Sequence, residues 1–184
     1  MNAPAHEHEK ADRLSEDVYY PDHEPRTESE TFRDTKKAGH AAQIPCAISG
    51  HTEKTEYHHM FIEWAFSDAV DWQMVKKVAL REVMDLPILD PVTDLPTGQT
   101  YPAHQSLMWV ICKLAQLRGF DWEKFDPDHP EQFVDSMANM LVIHEKFHRH
   151  KDHGIHAMSF PEWIFQAWPR KKGFVFTPDE KVPG

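Results

Sequence analysis

The residues Glu56-Tyr57-His58-His59 close a short polar–apolar alternation and set two histidines side by side. Such an alternation predicts a strand, and a strand turns successive side chains to opposite faces. His58 and His59 therefore address different surroundings. About eighty residues later the chain reads Asn139-Met140-Leu141-Val142-Ile143-His144-Glu145-Lys146-Phe147-His148. A His pair at a strand end, joined by an Asn and a His from a distal helix, is the pattern of a site built around one metal ion.

Outward from the His pair, the preceding Ala42-Gln43-Ile44-Pro45-Cys46-Ala47-Ile48 is short and mostly apolar, and Ser49-Gly50-His51 is a turn signal. Together with residues 53–59 they predict a β-hairpin. From Phe61 to Met84 apolar residues recur at three- and four-residue spacing, which predicts a helix. Residues 85–102 carry four Pro and one Gly and read as loop. Ala103 to Leu117 reads as a second apolar helix stopped by Gly119. A third helix or helix pair is expected from Phe133 to His150, ended by Gly154. A short one is expected from Phe160 to Trp168, capped by Ser159 with Pro161 in its first turn.

Residues 1–38 are polar and without apolar periodicity, and read as a flexible acidic arm in which Tyr19-Tyr20-Pro21 is the one sticky patch. Residues 39–184 are expected to form a single domain, with a helical insertion at about 62–132. The class is α+β, mainly helical. The formal net charge is -10, and residues 1–40 carry -4 of it. That balance opposes strong nucleic-acid affinity, which rests on Lys and Arg at phosphates. Local basic runs exist at Lys146-Phe147-His148-Arg149-His150-Lys151 and Arg170-Lys171-Lys172, and the local field decides where a phosphate docks. Two cysteines, Cys46 and Cys112, make no disulfide framework and point to a reducing cytoplasm. No apolar run reaches the length of a membrane span, and the charged N-terminus has no apolar leader core.

Metal-dependent phosphodiester cleavage needs a divalent ion to stabilise charge on phosphate and leaving oxygen. It also needs a base, often His, to activate water, and a group that holds the base in the right tautomer. Strand and helix histidines with a nearby carboxylate can supply these parts. Taken with Cys46-Ala47-Ile48-Ser49-Gly50 before the His pair, and with His148 nine residues after Asn139, the sequence resembles the HNH (ββα-metal) nuclease family. The resemblance covers about residues 42–60 and 134–156. It implies a ββα-metal unit split by a helical insertion between hairpin and metal-binding helix.

By that resemblance His58 is a metal ligand, His59 the general base, Asn139 the residue that orients the base and pins the loop, and His148 the second ligand. Asp152 falls where some members place a third. Lys146, Arg149 and Lys151 are the implied nucleic-acid contacts. The ion would be one divalent metal, Mg, Mn, Ni or Zn. The implied activity is hydrolysis of DNA, in a setting often linked to phages or mobile elements. The sequence departs from the family at its structural zinc: Cys46 is present, but Ser49, His144 and Phe147 stand at the partner positions, so packing must replace that staple.

Two other readings stand beside this one. The acidic charge, the missing staple and the long insertion suit a nuclease-derived binding or assembly protein with a weak or silent site. His144-Glu145-Lys146-Phe147-His148 also matches H-E-x-x-H, in which Glu145 would be the base of a zinc peptidase and Glu162 an available third ligand.

Overall fold

The computed structural model describes residues 27–93, 95–160 and Trp163. It is a small α+β fold of short helices and two two-stranded sheets. The expected features at residues 1–26, Pro161, Glu162, Trp168 and 170–172 lie outside the described residues. The chain divides into two compact units, one comprising described residues 27–43 and 57–141, the other 44–56 and 142 onward.

In the first unit, α1 (Glu30–Ala41) occupies residues expected to belong to the flexible arm. Ser29 caps it by accepting the Phe32 N–H at 2.9 Å, and Glu30 sits at its positive end. Only two of its residues are buried, Phe32 and Gly39, so its sequence carries too little apolar content to show a period. Gly39 admits the Tyr57 ring: a Cβ there would lie 2.2 Å from the Tyr57 hydroxyl oxygen.

The expected helix 61–84 is broken. A 3-10 turn, Trp64–Ala69, is followed by α2 (Trp72–Ala79). Asp71 starts α2 by accepting the Met74 N–H at 3.0 Å, and Arg81 in the left-handed region (φ 63°) stops its continuation. Residues 85–102, expected as loop, form an antiparallel ribbon of β2 (Asp85–Leu89) and β3 (Pro96–Pro102), with Leu86 opposite Tyr101 and a bulge between Pro87 and Leu89. A two-stranded ribbon has only edges, where Pro is tolerated, so the prolines did not exclude strand. After a 3-10 turn at Ala103–Gln105, α3 (Leu107–Leu117) starts at its Ser106 cap, and Gly119 (φ 90°) follows its end.

The core of this unit gathers Trp72, Ala79, Cys112, Ala115, Trp122, Phe125, Phe133, Val134 and Ala138. Its aromatic rings meet edge to face, as Trp72–Phe125 and Trp122–Phe125 do. The indole N–H groups are satisfied, Trp72 by the Ser67 carbonyl (2.8 Å) and Trp122 by the Cys112 carbonyl (3.1 Å). The expected third helix proves to be only α4 (Glu131–Val134), a strand β4 (Met140–His144) and α5 (Glu145–Arg149). Met140-Leu141-Val142-Ile143 is a short apolar run, the kind whose period does not separate strand from helix.

β1 (Thr55–His59) pairs with β4. Bonds at the two ends run in the antiparallel sense: Met60 N–H to the Asn139 carbonyl (2.7 Å) and Glu145 N–H to the Lys54 carbonyl (3.0 Å). The partner of β1 is therefore β4 rather than residues 42–48, which turn instead. In the second unit that turn is closed by Cys46 N–H to the His51 carbonyl (2.7 Å) and Gly50 N–H to the Cys46 carbonyl (2.8 Å). Ala47 N–H docks it on the Val142 carbonyl at 2.8 Å. No helix among the described residues is long and apolar enough to cross a membrane.

Candidate metal centre

α5 follows β4 without a loop, because His144 is both the last strand residue and the helix cap, accepting the Lys146 N–H on Nδ1 at 3.1 Å. This carries His148 back toward β1. His148 Nδ1 lies 2.6 Å from Glu56 Oε2, and Arg149 pairs with the same carboxylate. An acceptor at Nδ1 fixes the neutral ring as the Nδ1–H tautomer, leaving Nε2 as the bare lone pair. That nitrogen faces His156 Nε2 at 3.1 Å.

The turn after α5 brings His156 there. Gly154 N–H binds the His150 carbonyl at 2.7 Å, and Ile155 N–H binds the Phe147 carbonyl at 2.9 Å. Trp163 Nε1 donates to the same Phe147 carbonyl at 2.9 Å. A Cβ on Gly154 would stand 2.6 Å from the His150 carbonyl oxygen and 2.7 Å from that of His148, so only glycine lets the backbone pass so close.

His148 and His156 thus turn one ring nitrogen each toward the other, within one compact unit, and imidazoles facing in this way can share a metal ion. His58 belongs to the other unit.

Asp152 does not join the pair. α5 stops at Arg149, so Asp152 is not carried one helical turn on from His148; its carboxylate lies 4.0 Å from His150 and 3.7 Å from Lys151. His156, which no sequence motif marks, faces His148 instead, and His153, three residues before it, is fully buried. The signal that separates His156 is Gly154, read in sequence only as a helix stop.

His59 points to the other face of β1 and is buried there. Its ring stacks on Phe32 at 5.6 Å, Nε2 lies 3.0 Å from Asp135 Oδ1 and Nδ1 lies 3.4 Å from Glu63 Oε2. Burial pulls its pKa down, but the Asp135 and Glu63 carboxylates outweigh burial and raise it above the ordinary value. Both ring nitrogens of His59 thus face carboxylates, where the expectation for a base was a nitrogen turned to water. Asn139, fully buried, does not touch His59. Its Oδ1 accepts from Phe61 N–H (2.9 Å), and its Nδ2 donates to the carbonyls of Ile62 (3.0 Å) and Val134 (2.7 Å). It thereby holds the chain that leaves β1. The orienting partner of His59 is Asp135, itself bound by the Ser29 hydroxyl at 2.6 Å; no sequence motif marks it.

The H-E-x-x-H reading requires both histidines on one helix face. His144 is extended (φ -66°, ψ 149°) and Glu145 pairs with Lys54 at 3.0 Å, so the peptidase geometry is not formed. Cys46 Sγ accepts the Ser49 N–H at 3.4 Å, so the turn keeps its shape through hydrogen bonds. Of the expected phosphate contacts, Arg149 is committed to Glu56, Lys146 lies over the Phe147 ring at 5.6 Å and Lys151 is 86% exposed. No protein-family model matches the chain, and neither a curated protein nor a solved structure matches it.

Proposed function

We propose that this chain is a metal-dependent nuclease of HNH type that hydrolyses DNA phosphodiester bonds. The observation that carries the reading is His148, braced through Nδ1 by Glu56 and facing His156 through Nε2. Imidazole nitrogens favour borderline ions, so Zn²⁺ and Ni²⁺ are expected ahead of Mn²⁺, and Mg²⁺, which prefers oxygen, is disfavoured. Such an ion would supply charge stabilisation at a scissile phosphate. Lys151 and Lys146 would be the contacts to the nucleic-acid backbone. With a net charge of -10 the affinity should be low and steeply lost with salt.

A binding or assembly protein with a silent site is the second reading. It is favoured by His59, whose two nitrogens are occupied by carboxylates rather than turned toward the His58 face. Cleavage of supercoiled plasmid with added Zn²⁺, Ni²⁺ or Mn²⁺ separates the two. The nuclease reading expects nicking that disappears in His148→Ala. Metal binding without nicking in any of these ions would leave the binding protein in its place.

A further inference from the structure

α2 ends on a residue that does not suit its backbone. Arg81 adopts a left-handed conformation (φ 63°) directly after the Leu80 cap. Glycine is the usual residue there, because a side chain is strained in that region. The helix dipole does not call for the arginine, since Lys76 and Lys77 already stand in the last turn of α2. Nor does an ion pair: the Arg81 side chain is exposed, and no carboxylate partner is found for it among the described residues.

Arg81 instead lines a pocket of about 300 Å³, the size at which small-molecule sites begin. The pocket lies wholly within the first compact unit. Val78, Val83, Met84 and the Trp109 indole form its apolar wall, and Arg81 and His104 supply its polar groups. Trp109 is anchored against the buried Val78, Leu86 and Ala103. The His104 ring meets it edge-on at 6.4 Å, and Lys113 Nζ stands 5.5 Å from its ring centroid. No carboxylate lines the pocket, in a chain of 184 residues with 30 Asp and Glu. A guanidinium fork matches an anionic oxygen group, and an indole offers a flat surface to an aromatic ring.

We propose that this pocket binds a nucleobase carrying a 5′-phosphate, the base against Trp109 and the phosphate at Arg81 and His104. A single-ring aromatic acid would underfill the volume. Two permanent cations at one indole, Arg81 and Lys113, also suit the double charge of a phosphate monoester better than one carboxylate. The site uses no residue of the proposed metal centre, so the two stand or fall separately.

The test is calorimetric titration of the full chain with a metal chelator present. The probes are adenosine 5′-monophosphate, adenosine and a 5′-phosphorylated oligodeoxyadenylate. The monophosphate is expected to bind roughly tenfold or more tighter than adenosine, the weight of a charge-assisted bond, and to quench tryptophan fluorescence. A strand that binds tighter than the mononucleotide assigns the site to nucleic-acid ends; the reverse assigns it to a free nucleotide. Arg81→Gly separates binding from folding: it relieves the left-handed strain and should raise the melting temperature, yet weaken the monophosphate by roughly 10- to 100-fold. Arg81→Gln, which leaves the backbone requirement in place, should weaken it likewise. Trp109→Phe keeps an aromatic wall, so binding should persist while most of the quench is lost. Three results each overturn the proposal: no binding of either phosphorylated probe, no preference for the monophosphate over adenosine, or affinity unchanged in both Arg81 variants. A quench unchanged in Trp109→Phe overturns it as well.

Discussion

The hydroxyl oxygen of Tyr57 lies over the α-carbon of Gly39, so close that a Cβ at residue 39 would be 2.2 Å from it. The hydroxyl is buried, and no hydrogen-bond partner is found for it among the described residues. Gly39→Ala should therefore destabilise the protein although alanine favours helix. Overpacking of about 1–3 kcal/mol exceeds the propensity gain of about 1 kcal/mol. Tyr57→Phe should be neutral or stabilising, since it deletes an unsatisfied polar atom, and it should soften the Gly39→Ala penalty. Urea denaturation of the wild type, the two single variants and the double variant checks this. A fully destabilising Tyr57→Phe would mean that the hydroxyl has a partner.

Gly154 faces backbone rather than a flexible side chain, so its neighbours have little room to yield. Gly154→Ala should displace the turn that delivers His156 and weaken Zn²⁺ binding by calorimetry at least as strongly as His156→Ala. Equal affinity in the alanine variant would show that His156 reaches its place by another route.

His59 is packed against Asp135, Glu63 and Phe32, and its pKa is raised in the folded state. The sign follows from linkage: a folded pKa above the unfolded one contributes stability that is complete below the ordinary value of 6.5 and is lost as pH rises through the folded value. Melting temperature should fall from mildly acid toward alkaline pH, and His59→Gln should flatten that fall. A slope identical in both proteins would mean that His59 is not charged when folded.

The two cysteines should differ in reactivity. Burial pushes the Cys112 thiol up to about 11, so it should resist alkylation at neutral pH until the protein unfolds. Burial also acts on Cys46, but hydrogen bonds from Ser49 and neighbouring backbone N–H groups outweigh it and lower its pKa. Mass spectrometry of partial labelling should find Cys46 modified first. Labelling of Cys112 ahead of Cys46 would contradict the burial assigned to it.

The sequence resolves helices where a cap and a stop flank an apolar period, as at α3 between Ser106 and Gly119. It also marks His148, which the structure sets between Glu56 and His156. It fails where local pattern is ambiguous. The run 140–143 has no period to distinguish strand from helix, and the prolines of 85–102 hide a ribbon. Glu56 beside His148 and Asp135 beside His59 are ordinary acidic residues in a chain that has many. Only their place in space singles them out. Gly154 reads the same as any helix stop until the carbonyl oxygens beside it are seen.

The pairing of β1 with β4 joins segments about eighty residues apart. Contacts between such distant segments form late, because the chain must close a long loop before the contacts reward it. During synthesis His58 emerges long before its strand partner, and β1 waits unpaired until residue 144 has left the ribosome. The intervening segment, with its own aromatic core, can fold in that interval and bring the two strand ends together. The strand ends, Met60 beside Asn139 and Lys54 beside Glu145, would then be among the last parts of this protein to meet.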